Sequence, residues 1–232
     1  MHSPTLPPPT RVSLLGAGLV CAALSVVLLV MVAVRWSPLM SLDTTVAEAL
    51  HRRAVTEPGL VHVNRVLTDW VWDPWTMRVL IAVAVIGLWR HGARLLAAWL
   101  ALVSAISSLV QQGLKAAVGR ERPQWPDPVD SANYAAFPSG HAMTAMVSCG
   151  LLLWLLRLYD TRPPWWRAAL TLAVVSVAGV AVTRVYLGVH WPTDVLGGLL
   201  LGAAVVAFAV VGYGVIARYA ARRTAGGAGA PL

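Results

Sequence analysis

What this sequence lacks is charge. Only 12% of its 232 residues are Asp, Glu, Lys or Arg, while 58% are hydrophobic and the mean hydropathy is +0.68; an average soluble domain carries about 25% charged and 45–50% apolar residues. A water-soluble globule is excluded. Lysine is scarcer still, since of the 18 basic residues Lys115 alone is not arginine. Cysteine occurs twice, as Cys21 and Cys149, both inside apolar runs; they read as small buried hydrophobes rather than a disulfide pair or a zinc site. The net charge of +8 does not make a nucleic-acid binder. That reading needs a basic face on a soluble fold, whereas here the basic residues punctuate apolar runs, so no nucleic-acid partner is expected.

What is there is a series of long uncharged stretches. Residues 12–34 carry no charge at all, and at about 1.5 Å rise per residue such a run crosses the ~30 Å hydrocarbon core of a bilayer. It exceeds a signal-peptide core and lacks a small-residue cleavage site, so it reads as a retained helix. Residues 95–114, 142–156, 168–183 and 195–217 form further runs bounded by charge or by Trp and Pro. A weaker one, 75–89, contains Arg78, whose side chain must snorkel to the interface. The expected fold is therefore all-α, a six-span transmembrane helical bundle over residues 11–220. Residues 1–10, with four prolines, and the Ala/Gly-rich 221–232 are expected to be disordered tails. Trp36, Trp75, Trp89, Trp165, Trp166 and Trp191 fall at span ends, as interfacial anchors do. The connection 37–74 is too long for a turn. Within it, 42–55 has helical spacing of apolar residues with Arg52 and Arg53 on the polar side, which suits a surface-lying or a solvated amphipathic helix, ended by Pro58 and Gly59.

Six spans sort the charges. One side receives nine arginines, Arg11, Arg90, Arg94, Arg157, Arg162, Arg167, Arg218, Arg222 and Arg223, against a single acid, Asp160. The other side receives nine basic and nine acidic residues. The raw count of basic residues ties, but on the second side several belong to polar motifs or to the long 37–74 connection. Both termini are therefore expected in the cytoplasm.

Three polar clusters interrupt the apolar chain: 115–123 (KAAVGRERP), 138–141 (PSGH) and 183–194 (TRVYLGVHWPTD). Span parity places all three on one membrane face, the extracytoplasmic one. Lys115, Arg122 and Arg184 bring three cations to the mouth of a bundle, where charge is expensive unless an anion binds. Ser139 can cap the following helix while its free backbone N–H groups face that anion, and Gly140 permits close backbone approach. His190 precedes Pro192, a favoured first-turn proline, and Asp194 four residues on can orient its ring. Two histidines beside an anion cradle suit a division of labour, one attacking phosphorus and the other protonating the leaving alkoxide. No metal or other cofactor is required if the three cations supply the charge stabilisation. Each piece alone also fits an interfacial anchor, a helix cap or a structural histidine; their joint occurrence is what those readings leave unexplained. Gly198 and Gly202 read as a helix-packing pair.

The pattern of Lys, six residues, Arg-Pro, then Pro-Ser-Gly-His, then Arg, five residues, His, three residues, Asp resembles the three-part signature of the type 2 phosphatidic acid phosphatase family, which includes the vanadium haloperoxidases. Thr183 departs from the Ser usual before the Arg. The resemblance implies a metal-independent phosphomonoesterase in which His190 is the nucleophile, Asp194 its partner and His141 the general acid. Lys115, Arg122, Ser139, Gly140 and Arg184 would hold the phosphate oxygens. Arg120 and Glu121 occupy variable positions of the first motif and are left out. The expected substrate is a phosphatidate-like or polyprenyl phosphate or diphosphate lipid, the expected location a bacterial plasma membrane. A vanadate-dependent haloperoxidase, a non-catalytic anionic-lipid binder and a metallohydrolase are the competing readings; the six spans argue against the first, whose known members are soluble.

Overall fold

The computed structural model describes residues 8–227. The first helix, α1 (Pro8–Ala33), starts with prolines in its first turn, where their missing N–H groups cost nothing. Part of the expected N-terminal tail is therefore helical, and residues 1–7 lie outside the described residues. Arg35, at φ 52°, and Trp36 break the chain, and α2 (Ser37–Thr56) follows with a proline in its first turn. α2 is the amphipathic helix expected over 42–55, but it begins earlier and its inward stripe is not apolar. Asp43, Ala47, His51 and Ala54 are its buried residues.

Pro58 ends α2 by opening the next helix, α3 (Pro58–Val66), which passes through a π-helical turn (Leu67–Val71) to α4 (Pro74–Arg90). Asp73 restarts the helix: its carboxylate accepts from the backbone N–H of Trp75 at 2.6 Å and of Thr76 at 3.3 Å. The second crossing is thus a helical column over Pro58–Arg90, longer than the 75–89 run expected. The rest of the expected 37–74 connection is helix as well. Arg78 lies 5.2 Å above the Trp75 ring, one turn into α4.

α5 (Arg94–Val118), α6 (Gly140–Leu158), α7 (Pro163–Tyr186) and α8 (Pro192–Gly227) complete the bundle. α8 continues past residue 220, through part of the expected C-terminal tail. Six described helical segments are long and apolar enough to cross a membrane, and the chain is an integral membrane protein. Its largest core lies among α4, α5, α6 and α8, around Leu100, Leu151, Trp154 and Tyr213. Small residues let these helices meet. A Cβ on Gly198 would lie 2.6 Å from the Ser139 carbonyl oxygen, and one on Gly202 would lie 2.8 Å from the Met146 Cβ, so both pack α8 on α6 as expected. The outward faces are apolar, with Val20, Val27, Val83, Leu109 and Leu172 more than half exposed, which is favourable only against lipid.

The ends of the bundle differ. The C-terminal end of α5, the N-terminal ends of α6 and α8 and the C-terminal end of α7 share one end, with α2 lying across it. Arg90, Arg94, Arg157, Arg162 and Arg167 mark the other, where Arg157 sits 3.6 Å over the Trp166 ring.

Candidate active site

The three polar clusters meet because each occupies a helix terminus. The buried stripe of α5 runs Leu96, Leu100, Val103, Ser107, Gln111, Lys115, apolar in the bundle and polar as it reaches the end. Gly119, at φ 58°, terminates α5 in the left-handed conformation and turns the chain toward Arg120 and Arg122. Ser139 caps α6, its hydroxyl accepting from the Ala142 N–H at 3.5 Å, and its own N–H donates to the Asp194 carbonyl at 2.9 Å. The PSGH turn and the start of α8 are thereby tied together.

Three cations face the two histidines. Lys115, Arg122 and Arg184 all lie close enough for their charges to act on both His141 and His190. None of the three forms a carboxylate ion pair among the described residues. Lys115 donates to the Ala135 carbonyl, and Arg184 donates to the Thr68 hydroxyl at 3.2 Å while its Nε has no partner among the described residues. Arg122 donates to the carbonyls of Tyr134 (2.9 Å), Asn133 (2.9 Å) and Val189 (2.6 Å). Lys115 and Arg184 are only 8% and 4% exposed. Buried cations held by neutral oxygens form a site for an anion.

His190 is the centre of this arrangement. Arg122 Nη1 lies 3.1 Å from its Nε2, and because a guanidinium can only donate, this contact favours the tautomer with the lone pair on Nε2 and the proton on Nδ1. Nδ1 faces Asp194 Oδ2 at 3.4 Å. In that tautomer the Nε2 lone pair points at Arg122 and the Nδ1–H at the carboxylate. Burial first, then the charges of Arg122, Arg184 and Lys115, hold the imidazole well below the ordinary histidine pKa, which keeps it neutral and nucleophilic. Burial also lowers the Arg122 guanidinium.

Gly140 packs against α5. A Cβ there would lie 2.6 Å from Gln111 Nε2, so the missing side chain makes room for the α5 glutamine.

The family profile of the PAP2 superfamily matches residues 96–217. The chain belongs to that superfamily. A decaprenylphosphoryl-5-phosphoribose phosphatase of Mycobacterium tuberculosis is 31% identical over 169 residues, 70% of this chain and 86% of that protein. An undecaprenyl-diphosphatase of Sulfolobus acidocaldarius is 42% identical over 79 residues, 34% of this chain and only 32% of that relative's length. Among solved structures, the transmembrane PAP2 type phosphatidylglycerolphosphate phosphatase of Bacillus subtilis superposes with a TM-score of 0.72 at 25% identity, covering 84% of this chain and 94% of that one.

The PAP2 signature leaves part of the site unnamed. Arg120, set aside as a variable position, donates to Asp194 Oδ1 and to Asp43 Oδ2, each at 2.6 Å. Asp43 lies on α2, outside the matched stretch, and also accepts from the Thr193 N–H at 2.9 Å and from its hydroxyl. Trp191, expected as an interfacial anchor, donates its indole N–H to the Glu121 carbonyl at 3.0 Å, and its ring centroid lies 5.6 Å from the Arg120 guanidinium carbon. The only advance signal was Asp43 itself, a carboxylate in a helix whose other acid, Glu48, could sit on the solvated face.

Proposed function

We propose that this protein is a membrane lipid phosphatase that releases the terminal phosphate of a lipid phosphomonoester or diphosphate through a phosphohistidine on His190. The observation that carries the reading is the geometry at His190: Nε2 lies 3.1 Å from Arg122 Nη1 and Nδ1 3.4 Å from Asp194, beside the buried cations Lys115 and Arg184, and none of the three cations has a carboxylate ion pair among the described residues. A phosphoryl group is the electrophile such a cradle suits, because its equatorial oxygens carry the charge that Lys115, Arg122 and Arg184 neutralise.

In the first step the lone pair of His190 Nε2 forms the bond to phosphorus as the ester P–O bond breaks. His141, at the start of α6, gives its proton to the departing oxygen. Asp194 accepts the hydrogen bond of the Nδ1–H and stabilises the positive charge that develops on the ring. In the second step His141 takes a proton from water, the hydroxide attacks phosphorus, the N–P bond breaks and inorganic phosphate leaves. The three cations take the electrophilic role that a metal plays in other phosphatases, and the same cations make His141, His190 and Asp194 a poor donor set for a further positive ion.

The relatives named above are phosphatases of phosphorylated lipids, and the site lies at one end of a membrane bundle, where a headgroup could reach it while its chains stay in lipid. The arginine-rich end faces the cytoplasm and the site end faces outward, by the basic-residue bias. The test is phosphate release from a panel of detergent-dispersed phosphatidate, phosphatidylglycerol phosphate and undecaprenyl diphosphate, with wild type and His190→Ala compared. Turnover of at least one lipid, abolished in His190→Ala with folding intact, is expected; turnover retained in that variant overturns the mechanism.

A further inference from the structure

Asp194 is fully buried and has a closer partner than the histidine it serves. Its Oδ1 receives Arg120 Nη1 at 2.6 Å and its Oδ2 receives the Trp191 N–H at 2.9 Å, while His190 Nδ1 stands 3.4 Å away. Arg120 in turn is held at both prongs. Nη1 also reaches the Thr193 hydroxyl at 2.7 Å, and Nη2 reaches Asp43 at 2.6 Å. The Asp43 side chain is 1% exposed and that of Asp194 0%, burial that carboxylates tolerate only when paired and hydrogen-bonded. Two carboxylates sharing one guanidinium leave one negative charge, and Asp194 delivers it beside His190.

We propose that Arg120 is a positioning residue that fixes Asp194 against His190, and that Asp43 on α2 is the anchor that holds Arg120 in place, making α2 part of the catalytic apparatus. The inference rests on the phosphohistidine reading above. Arg120 reaches neither histidine directly and none of its bonds goes to the three cradle cations, so its loss acts on the chemical step and not on phosphate capture. Asp43 makes the order of α2 a condition of turnover, although α2 lies outside the stretch that carries the PAP2 signature.

The charges that face His190 are Asp194 from α8, Lys115 from α5, Arg184 from α7 and Arg122 from the loop, with His141 from α6 the other titratable neighbour; Arg120 and Asp43 act on it through Asp194. This gives the two ends of the network opposite signatures. Removing the cation in Arg120→Gln makes the imidazole easier to protonate, so the acid limb of the kcat profile moves to higher pH. Removing the anion in Asp43→Asn moves it to lower pH. Each shift is expected at roughly half to one pH unit, with kcat reduced about ten- to hundredfold and KM within about threefold of wild type. Arg120→Lys keeps the charge but cannot bridge two carboxylates with one planar fork; it should lose rate without moving the limb.

The experiment is the kcat and KM pH profile of wild type, Arg120→Gln, Arg120→Lys and Asp43→Asn on a turned-over lipid phosphate, with melting in detergent as the folding control and His190→Ala alongside. Opposed shifts with KM preserved support the proposal. Wild-type kcat in Asp43→Asn, or losses with no displacement of the limb, overturn it. Should Arg120→Gln not fold, Arg120→Lys and the near-isosteric Asp43→Asn decide on the same criteria. An inactive His190→Ala with unaffected network variants refutes the positioning role alone; an active His190→Ala refutes the reading beneath it.

Discussion

Gly198→Ala is the perturbation that most sharply separates packing from chemistry. Gly198 sits nearly two turns into α8, opposite the PSGH turn. The added Cβ would lie 2.6 Å from the Ser139 carbonyl oxygen, 3.1 Å from the Met143 nitrogen and 3.2 Å from the Ala142 Cβ. Two of these are backbone atoms of α6 and its cap, which no rotamer change can remove. To restore ordinary contact near 3.4 Å, Ser139 must retreat about 0.8 Å from α8. That movement strains the 2.9 Å bond from the Ser139 N–H to the Asp194 carbonyl and carries the first turn of α6, with His141, away from His190. Overpacking of this kind costs about 1–3 kcal/mol of stability, and a misplacement approaching 1 Å costs about a hundredfold in rate. Gly113→Ala on α5 is the matched control: a Cβ there meets nothing within 4 Å, and replacing a helical glycine gains roughly 0.5–1 kcal/mol. The assay is kcat/KM for lipid phosphate release together with the melting midpoint in one detergent. Gly198→Ala should lose about two decades of activity and melt lower, while Gly113→Ala keeps its activity and melts no lower. Near-wild-type activity in Gly198→Ala would refute the claim that the contact between α6 and α8 sets the distance between the histidines.

Three further outcomes follow from particular contacts. Lys115→Arg should reduce kcat/KM about ten- to hundredfold, because a buried ammonium bound to the Ala135 carbonyl is replaced by a larger planar fork; a silent change would return Lys115 to the role of an interfacial cation. Thr68→Val keeps the shape but removes the only side-chain acceptor of the buried Arg184 among the described residues, and should cost about 1–3 kcal/mol of stability by thermal or chemical unfolding. Stability should also fall on acidification. His51 and His190 are both lowered below 6.5, chiefly by burial, so below that value the unfolded chain binds protons that the folded one does not, and folding weakens as pH drops. Melting at pH 7.5 and 5.5 reads this out, with the slope flattened in His190→Gln; greater stability at the lower pH would contradict it.

The six crossings and the three motifs were legible because each depends on local signals. An uncharged run of helical length means a bilayer, and a motif with fixed internal spacing means residues held on one helix end. Asp43 and Arg120 were not legible. They stand 77 positions apart, and hydrophobic periodicity reports only that a helix has a polar face, not which cation meets it. α2 was expected from its spacing, yet its buried stripe proved polar at Asp43 and His51 because it packs on the site end of the bundle and not on lipid. The second crossing was expected too short for a related reason: Pro74 and Asp73 read as a boundary, whereas Asp73 caps a restarted helix within one column.

The central claim is a covalent phosphoryl group on His190. Rapid quenching of wild-type enzyme with a lipid whose terminal phosphate is isotopically labelled should trap label on protein in amounts approaching one per chain. A phosphoramidate on histidine is stable to base and labile to acid, and the label should map to the peptide containing His190. His141→Gln, which loses both the acid of the first step and the base of the second, should lose turnover without moving the label to another residue. No trapped label during active turnover, or label undiminished in His190→Ala, would contradict the mechanism.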